Sequence, residues 1–456
     1  MANTADALGE QETLDGLVAH SLEDFEDSRI KYIRQYAFRY NDGLKSVNLP
    51  NVVKISIKAF INCNNLEMVI LPKLSFLSSS DFGYCYKLKT FDTTNVTSLS
   101  GSYIFERCFS LNDLNLLNVT EVDDHALANT GLGMIMLPNA TSISIYISAS
   151  STQTSTIDLS KKITLNSSTF NSAYSLVHLI LRSDTLCPLS ATSAFTQTPI
   201  ANGLGWIYVP SDLVESYKTA SNWSTYANQI VSLDEYPKAL SEETITDSWD
   251  EIFQAENDGS YKTKYSVGDT KYLVVGGTYV LMQIIAFDRD ILSSDHTSTA
   301  KITWLAKSSS FQFPMNFEDV TEGGWADCEC RKFLSDTIYE QIPENVRNKI
   351  VAVDKTYTAT GSSSSTTTVS DKLWIPSARE IYGGSSYENT GINYIDFFTG
   401  NSVRIKHNGL LTNSTSYWWL RSVNSSTGFR YVSNGGSIGQ GRNASDSSGV
   451  ALGFCT

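Results

Sequence analysis

Zinc, thiol and acid–base chemistry each need particular residues at particular spacings, and this chain of 456 residues holds five histidines, seven cysteines and the close pair Asp288 and Asp290. His20, His125, His178, His296 and His407 include no pair four residues apart, so the helical zinc-peptidase arrangement is absent. Cys328 and Cys330 are separated by one residue, too close for a zinc knuckle, and Cys187 and Cys455 stand alone. Reduced, mostly buried thiols are expected, with no metal site. Asp288 and Asp290 flank Arg289, and carboxylates placed this way in a loop are more often solvated or paired than bound to an ion. Gly435, Gly436 and Gly441 enrich a loop that lacks the Lys-Ser/Thr pair of a phosphate cradle. The reading from these residues is a protein without catalytic residues and without a cofactor.

Recognition is a different chemistry, and Tyr417 to Thr456 is written for it. Trp418, Trp419, Leu420, Phe429, Val432, Ile438, Val450, Leu452 and Phe454 recur between short polar residues, and Ser, Asn, Thr and Gly fill 18 of the 28 positions from Ser422 to Gly449. A tail of that composition without large residues would stay disordered, because short polar side chains do not offset the entropy of ordering. The interleaved aromatic residues need a core, so short strands joined by ordered loops are expected. The loops would present Asn424, Ser425, Ser426, Ser433, Asn434, Ser437, Asn443 and Ser445 as adaptable hydrogen-bonding groups, with Arg430 and Tyr431 as anchors of a ligand-binding face. Trp418 and Trp419 read as core rather than contact, since adjacent residues in a strand send at least one side chain inward.

A face of this kind needs a scaffold, and the sequence divides into two. The first 30 residues are acidic, and Leu14, Leu17, Val18, Leu22 and Phe25 fall at helical spacing, so a helical cap or attachment segment is expected over 1–30. An internal repeat then begins. Phe38, Phe60, Phe82 and Phe105 recur at steps of 22, 22 and 23, each followed by Leu-x-x-Val-x-Leu or a variant, as in Leu44/Val47/Leu49 and Leu66/Val69/Leu71. No such unit buries its own apolar edge, so the units must stack into a solenoid with one parallel sheet. Cys63, Cys85 and Cys108, with Asn41 before them, stand three residues after the aromatic and should form a ladder inside the turn. A strand over 206–209, a helix over 212–220 capped by Ser211, and Trp223, Tyr226 and Ile230 should close the open end. The solenoid is placed at 31–237 and a second domain at 238–456. In the second, 272–275 and 279–287 read as a hairpin, 301–305 as a strand, 330–341 and 343–350 as helices, 356–370 as a flexible loop and 373–381 as a strand leading into a helix after Pro376-Ser377.

The units AFRYNDGLKSVNLPNV and AFINCNNLEMVILPKL resemble the BspA-type leucine-rich repeats of bacterial surface proteins and of phage or prophage structural proteins, over about Ile33 to Leu181. That resemblance implies a fold and an interaction role. The phrases YSVGDTKYL, QIIAFDRD, LWIPSAREIYG, YWWLRS and the closing GVALGF resemble an uncharacterised domain family built on the C-type-lectin-like fold and related to formylglycine-generating enzymes. The whole chain is therefore expected to be α+β, a leucine-rich-repeat solenoid followed by a C-type-lectin-like mixed α/β domain. Those enzymes need an active-site cysteine pair, and Cys328, Cys330 and Cys455 offer none at a matching position. The sugar-binding triplets of calcium-dependent lectins are absent too. Lectin-like relatives include the variable proteins of diversity-generating retroelements, and the polar residues named above all belong to types that arise from an Asn codon by changing its adenines.

A net charge of −14 without a basic cluster argues against nucleic acid or anionic lipid as partner. The N-terminal MANTADALGEQETLDGL has neither a basic start nor an apolar stretch, so a product made in the cytoplasm without a signal peptide is expected. The expected role is a receptor-binding tip of a phage or prophage tail, attached to the particle through its N-terminal segment and engaging a cell-surface protein or glycan. The alternatives are a bacterial surface adhesin of fixed specificity and a formylglycine-generating-type oxidase.

Overall fold

The computed structural model describes residues 7–8 and 23–456, apart from 145, 363, 365, 385, 411 and 412. Two compact units divide at 240/241. Most of the helix expected over 1–30 lies outside the described residues. Where that segment is described it is strand: Ala7–Leu8 pairs in parallel with Tyr32–Ile33, and Asp24–Glu26 with Ser46–Asn48.

The repeat forms a stacked series of short parallel strands because each turn places the same residue types at the same depth. Ser46–Asn48 lies beside Met68–Ile70 with Val47 opposite Val69, a register shift equal to one repeat. The turns feed several parallel sheets rather than the single one expected: one runs from Asp24–Glu26 to Thr90–Phe91, another from Phe76–Leu77 to Ser142–Ile143, and the longest ends at Ile230–Ser232. Inside, Phe38, Phe60, Phe82 and Phe105 stack with ring centroids 4.7, 5.0 and 5.7 Å apart. The thiols of Cys63, Cys85 and Cys108 each donate to the carbonyl of the aromatic one turn back, Phe38, Phe60 and Phe82, at 2.9, 3.2 and 3.1 Å. The cysteine ladder is a packing and hydrogen-bonding device, with burial pushing each thiol well up.

Two residues after each aromatic, Tyr40, Asn62, Tyr84 and Arg107 take left-handed backbone (φ 57, 62, 64 and 61°) without being glycine. Each costs on the order of 1 kcal/mol. The next turn offsets it, since the amides of Tyr40, Asn62 and Tyr84 donate to the carbonyls of Ile61, Gly83 and Glu106 at 3.1, 2.9 and 2.7 Å. Each turn is thus held by its neighbour as well as by its own bonds, such as the Cys63 amide on Phe60 O at 3.2 Å. At the far end Trp223 Nε1 donates to Cys187 O at 2.8 Å and Tyr226 Oη to Thr192 O at 2.8 Å. The helix there is shorter than expected, Val214–Thr219 after a 3₁₀ turn at Ser211–Leu213, and Pro210 rather than Ser211 holds the cap position of that turn.

The second unit is mostly antiparallel β with few helices, which corrects the mixed α/β expectation. Its first sheet runs Thr270–Val275, Thr278–Phe287, Ile302–Ala306, Gly453–Cys455, Leu373–Trp374. Its second runs Phe311–Pro314, Ser447–Val450, Trp418–Val423, Gly428–Val432, Ile438–Asn443. Helices are Trp249–Asp258, started by a Ser248/Glu251 capping box, a helical stretch from Glu329 to Gln341 with a π segment at Leu334–Ile338, and a few single turns. The supposed loop at 356–370 is instead most of a hairpin, Val353–Thr358 against Thr366–Asp371. Its threonines are β-branched, and pairing one face while leaving the other to solvent suits a polar strand as well as an apolar one.

Candidate functional site

The residues proposed from the sequence as a binding face rest on Trp418–Val423, whose six residues are all buried. Both tryptophans point inward: Trp418 Nε1 donates to Arg404 O at 3.0 Å and Trp419 Nε1 to Phe313 O at 2.9 Å. The next strand, Gly428–Val432, buries Phe429 and Val432 and leaves Arg430 and Tyr431 half-buried. Tyr431 lies over Gly439, where a Cβ would enter its ring, and meets Tyr417 edge-on at 5.6 Å. The Arg430 guanidinium sits 5.3 Å from the Tyr387 ring and reaches Gln440 at 3.4 Å.

The remaining candidates fall into two groups. At one end of the hairpin, Asn424, Ser425 and Ser426 turn the chain, with the Asn424 and Ser425 amides on Gly428 O at 2.9 and 3.2 Å. Asn443 and Ser445 join them, because Gly428 stands opposite Asn443 and the Ala444 amide donates to Thr427 O at 2.9 Å. Asp319 ties this end together, accepting from Asn443 Nδ2 at 2.9 Å and Ser445 Oγ at 2.6 Å. Ser433, Asn434 and Ser437 form the turn at the other end, where the Ser433 amide donates to Ser437 O at 2.8 Å. Four residue steps, about 13 Å, separate the two groups along the strand. Ser425, Ser426, Asn434, Ser437 and Asn443 are exposed, and Asn424, Ser433 and Ser445 half-buried.

Behind this face lies a charged cluster that the sequence reading missed. Lys355 is fully buried and bonds Asp290, with Glu380 at 3.2 Å and Tyr394 Oη at 2.9 Å also on its ammonium. Asp290 also accepts from Thr303 at 2.5 Å and Tyr394 at 2.7 Å. Burial raises the Asp290 carboxyl, but Lys355 and these hydroxyls outweigh it and hold the group below its usual range. Arg421 closes the cluster, 2.7 Å from Glu380 and 2.9 Å from Thr356 O. Two cations and two carboxylates make it neutral. Asp288 faces elsewhere, paired with Lys262 and accepting from Tyr261 at 2.5 Å, so the aspartates that could have shared an ion are each paired.

Residues 31–153 and 101–202 match the BspA type Leucine rich repeat region, in 6 copies, and residues 291–455 match the Domain of unknown function DUF6273. A BspA-type repeat region is followed by a DUF6273 domain. Among solved structures the chain is similar to the T. pallidum leucine rich repeat protein TpLRR, at 17% identity over 37% of this chain and 72% of that one, with a TM-score of 0.26. It is also similar to a leucine rich cell surface protein from Faecalibacterium prausnitzii A2-165 (16%, 45% and 83%, 0.25). A third is a leucine-rich repeat protein from Bacteroides ovatus ATCC 8483 (16%, 50% and 70%, 0.28). None of the curated proteins matches the chain. No helix among the described residues is long and apolar enough to cross a membrane.

Within the DUF6273 domain, Glu380 and Arg421 belong to the phrases LWIPSAREIYG and YWWLRS, in which the sequence reading gave neither residue a role. A charged residue inside an otherwise apolar phrase was the available signal, because burial there demands a partner of opposite charge.

Proposed function

We propose that this protein is a non-enzymatic surface-binding protein, an adhesin in which the repeat region is a spacer and the DUF6273 domain presents the ligand-binding face. The observation that carries this reading is the division of labour in the hairpin of Gly428–Val432 and Ile438–Asn443: Phe429 and Val432 are fully buried while Ser425, Ser426, Asn434 and Ser437 in the flanking turns, and Asn443 at the strand end, face solvent. A face so built offers donors and acceptors at fixed positions with little ordering cost on binding. The BspA-type repeats support display at a cell surface, and that setting is preferred over the phage tail tip and its particle attachment. Fixed specificity is preferred over retroelement rewriting. The C-type-lectin-like affinity of the second domain belongs to this proposal as well, supported by the return of Gly453–Cys455 into the middle of the first sheet.

An oxidase reading has chemistry against it. Cys328, Cys330 and Cys455 are fully buried, and burial pushes all three thiols up, Cys328 to about 12. Burial thus disfavours the thiolate, the form that reacts.

The two ends of the face are tested separately by Ser426→Arg and Asn434→Arg in the full chain, reading the binding of fluorescent protein to a panel of bacterial and animal cells. Loss of binding with one or both, at unchanged melting temperature, is the expected result and tells which end engages the ligand. Full retention by both variants and by Arg430→Ala would refute this face. Tyr431 is not a clean probe, because its ring is packed against Gly439 and Tyr417.

A further inference from the structure

A cavity of ≈ 240 Å³ opens between the Val353–Asp371 hairpin, the 390–392 loop and the buried cluster. Its floor is Ser377, Glu380 and Arg421, each at most 2% exposed, and its walls carry the hydroxyls of Thr356, Thr368 and Thr390. His296 and Asp354 stand at one side, Nδ1 to carboxylate at 2.6 Å. Gly391 makes the approach of the loop possible: its φ is +101°, and a Cβ there would lie 3.1 Å from Thr356 Cβ.

The charges in this cavity are already matched. Both Glu380 oxygens meet Arg421 at 2.7 Å, with the Ser377 amide at 2.8 Å as a further donor. The Arg421 Nε and Nη1 also donate to the carbonyls of Thr356 and Ile375 at 2.9 and 2.5 Å. Asp354 accepts from Ser293 at 2.7 Å on one oxygen and faces His296 with the other. An anionic ligand would find a guanidinium committed to a carboxylate, and a cationic one would find carboxylates committed to donors. What remains on offer is the spare capacity of neutral groups: the Thr356 and Thr368 hydroxyls meet each other at 3.1 Å and that of Thr390 meets Thr366 at 3.3 Å, yet a hydroxyl that is both donor and acceptor keeps a further position open, as does the second ring nitrogen of His296. The volume falls just below the ~300–1,000 Å³ of sites for drug-sized ligands, so the occupant is one small unit.

We propose that this cavity binds a neutral polyhydroxylated molecule, a single pyranose or a polyol of similar size, at a site separate from the Ser426 and Asn434 turns. Thr368 and Thr390 sit at its exposed mouth and supply hydrogen bonds that valine would remove without disturbing the buried cluster.

The test is calorimetric titration of the full chain with a panel of methyl pyranosides and with inositol, beside calcium chloride, sodium acetate and methylammonium chloride as charged probes. Saturable binding of at least one neutral probe, weakened about tenfold by Thr368→Val with Thr390→Val and unchanged by Ser426→Arg and Asn434→Arg, is expected. Binding of no neutral probe, binding of a charged probe alone, or neutral binding that survives the double threonine substitution would overturn the proposal. Because the recognition face is read by cell binding and the cavity by small glycosides, either can fail without the other. Near-ultraviolet circular dichroism of the threonine variant, expected to match the parent, separates loss of ligand contacts from loss of fold.

Discussion

Lys355→Met is the most informative single change in the second domain. Lys355, Asp290, Glu380 and Arg421 are each no more than 1% exposed, and the cluster is neutral only as a set of four. Removing the ammonium leaves Asp290 with the hydroxyls of Thr303 and Tyr394 and an uncompensated charge in a low-dielectric interior. Breaking a buried pair this way costs about 3–5 kcal/mol, a large share of a domain stability of roughly 5–15 kcal/mol. Neutralising both members should cost much less. In Lys355→Met with Asp290→Asn, the amide oxygen still accepts from Tyr394 or Thr303, Glu380 keeps Arg421, and no bare charge remains. The double variant is expected to be about 2 kcal/mol more stable than the single lysine variant, because no uncompensated buried charge is left. Urea unfolding of the full chain followed by tryptophan fluorescence reads this directly. Six of the eight tryptophans lie beyond residue 240, and the Lys355 ammonium sits 3.4 Å from the centroid of one of them, Trp374. A loss below about 1 kcal/mol in the single variant, or a double variant less stable than the single, would refute the account of the cluster as a mutually compensated set.

Two further predictions follow from buried bases. Burial lowers His178 in the solenoid from 6.5 to about 4; the folded state thus binds fewer protons than the unfolded one between these values, so stability is full above pH 6.5 and falls by up to ~1.4 kcal/mol per pH unit toward pH 4. His178→Gln should flatten that slope in chemical denaturation across this window. Lys406 is lowered from 10.5 to about 7 by burial and then by the charge of Lys307, so the second domain should gain stability as pH rises from 7 to 10.5, and the difference curve against Lys406→Met should carry that gain; equal slopes in both proteins would contradict it.

The repeat was legible because a solenoid repeats its core in the sequence itself. Phe38, Phe60 and Phe82 are three turns of one column, and their spacing alone reveals it. The cysteine ladder was legible for the same reason. The left-handed column at Tyr40, Asn62, Tyr84 and Arg107 was not, because four unlike side chains share only a backbone conformation that is stabilised from the next turn. In the second domain the hairpin at 353–371 was misread as a loop, since six serines and threonines from Thr360 to Thr366 mask the pairing of the flanking strands. The charged cluster left no period to find: its members come from four separate segments between Asp290 and Arg421, and its pairs join residues 65, 25 and 41 positions apart. Of the ten candidate binding residues, Asn424, Arg430, Tyr431, Ser433 and Ser445 are half-buried and the rest exposed, and their split into two groups follows from the Gly428–Asn443 register, which only the folded hairpin supplies.

Trp418–Val423 and the turn after it are held by different partners. Arg421 and Ser422 are fixed from behind, Arg421 by Glu380 and two carbonyls, Ser422 by Glu388 and by the Ala378 amide at 2.8 Å. Asn424 lies only three residues after Arg421, yet its backbone is held by Gly428 and the turn that follows leaves Ser425 and Ser426 in solvent. Substitutions at Ser426 remove no contact on which the cluster depends, whereas a neutral residue at Arg421 would strip Glu380 of its two-pronged partner and leave two buried carboxylates to share Lys355. The buried cluster is thus held by charge pairs between distant segments and the exposed turn by local backbone hydrogen bonds, so a substitution at Ser425 or Ser426 leaves every pair of the cluster in place.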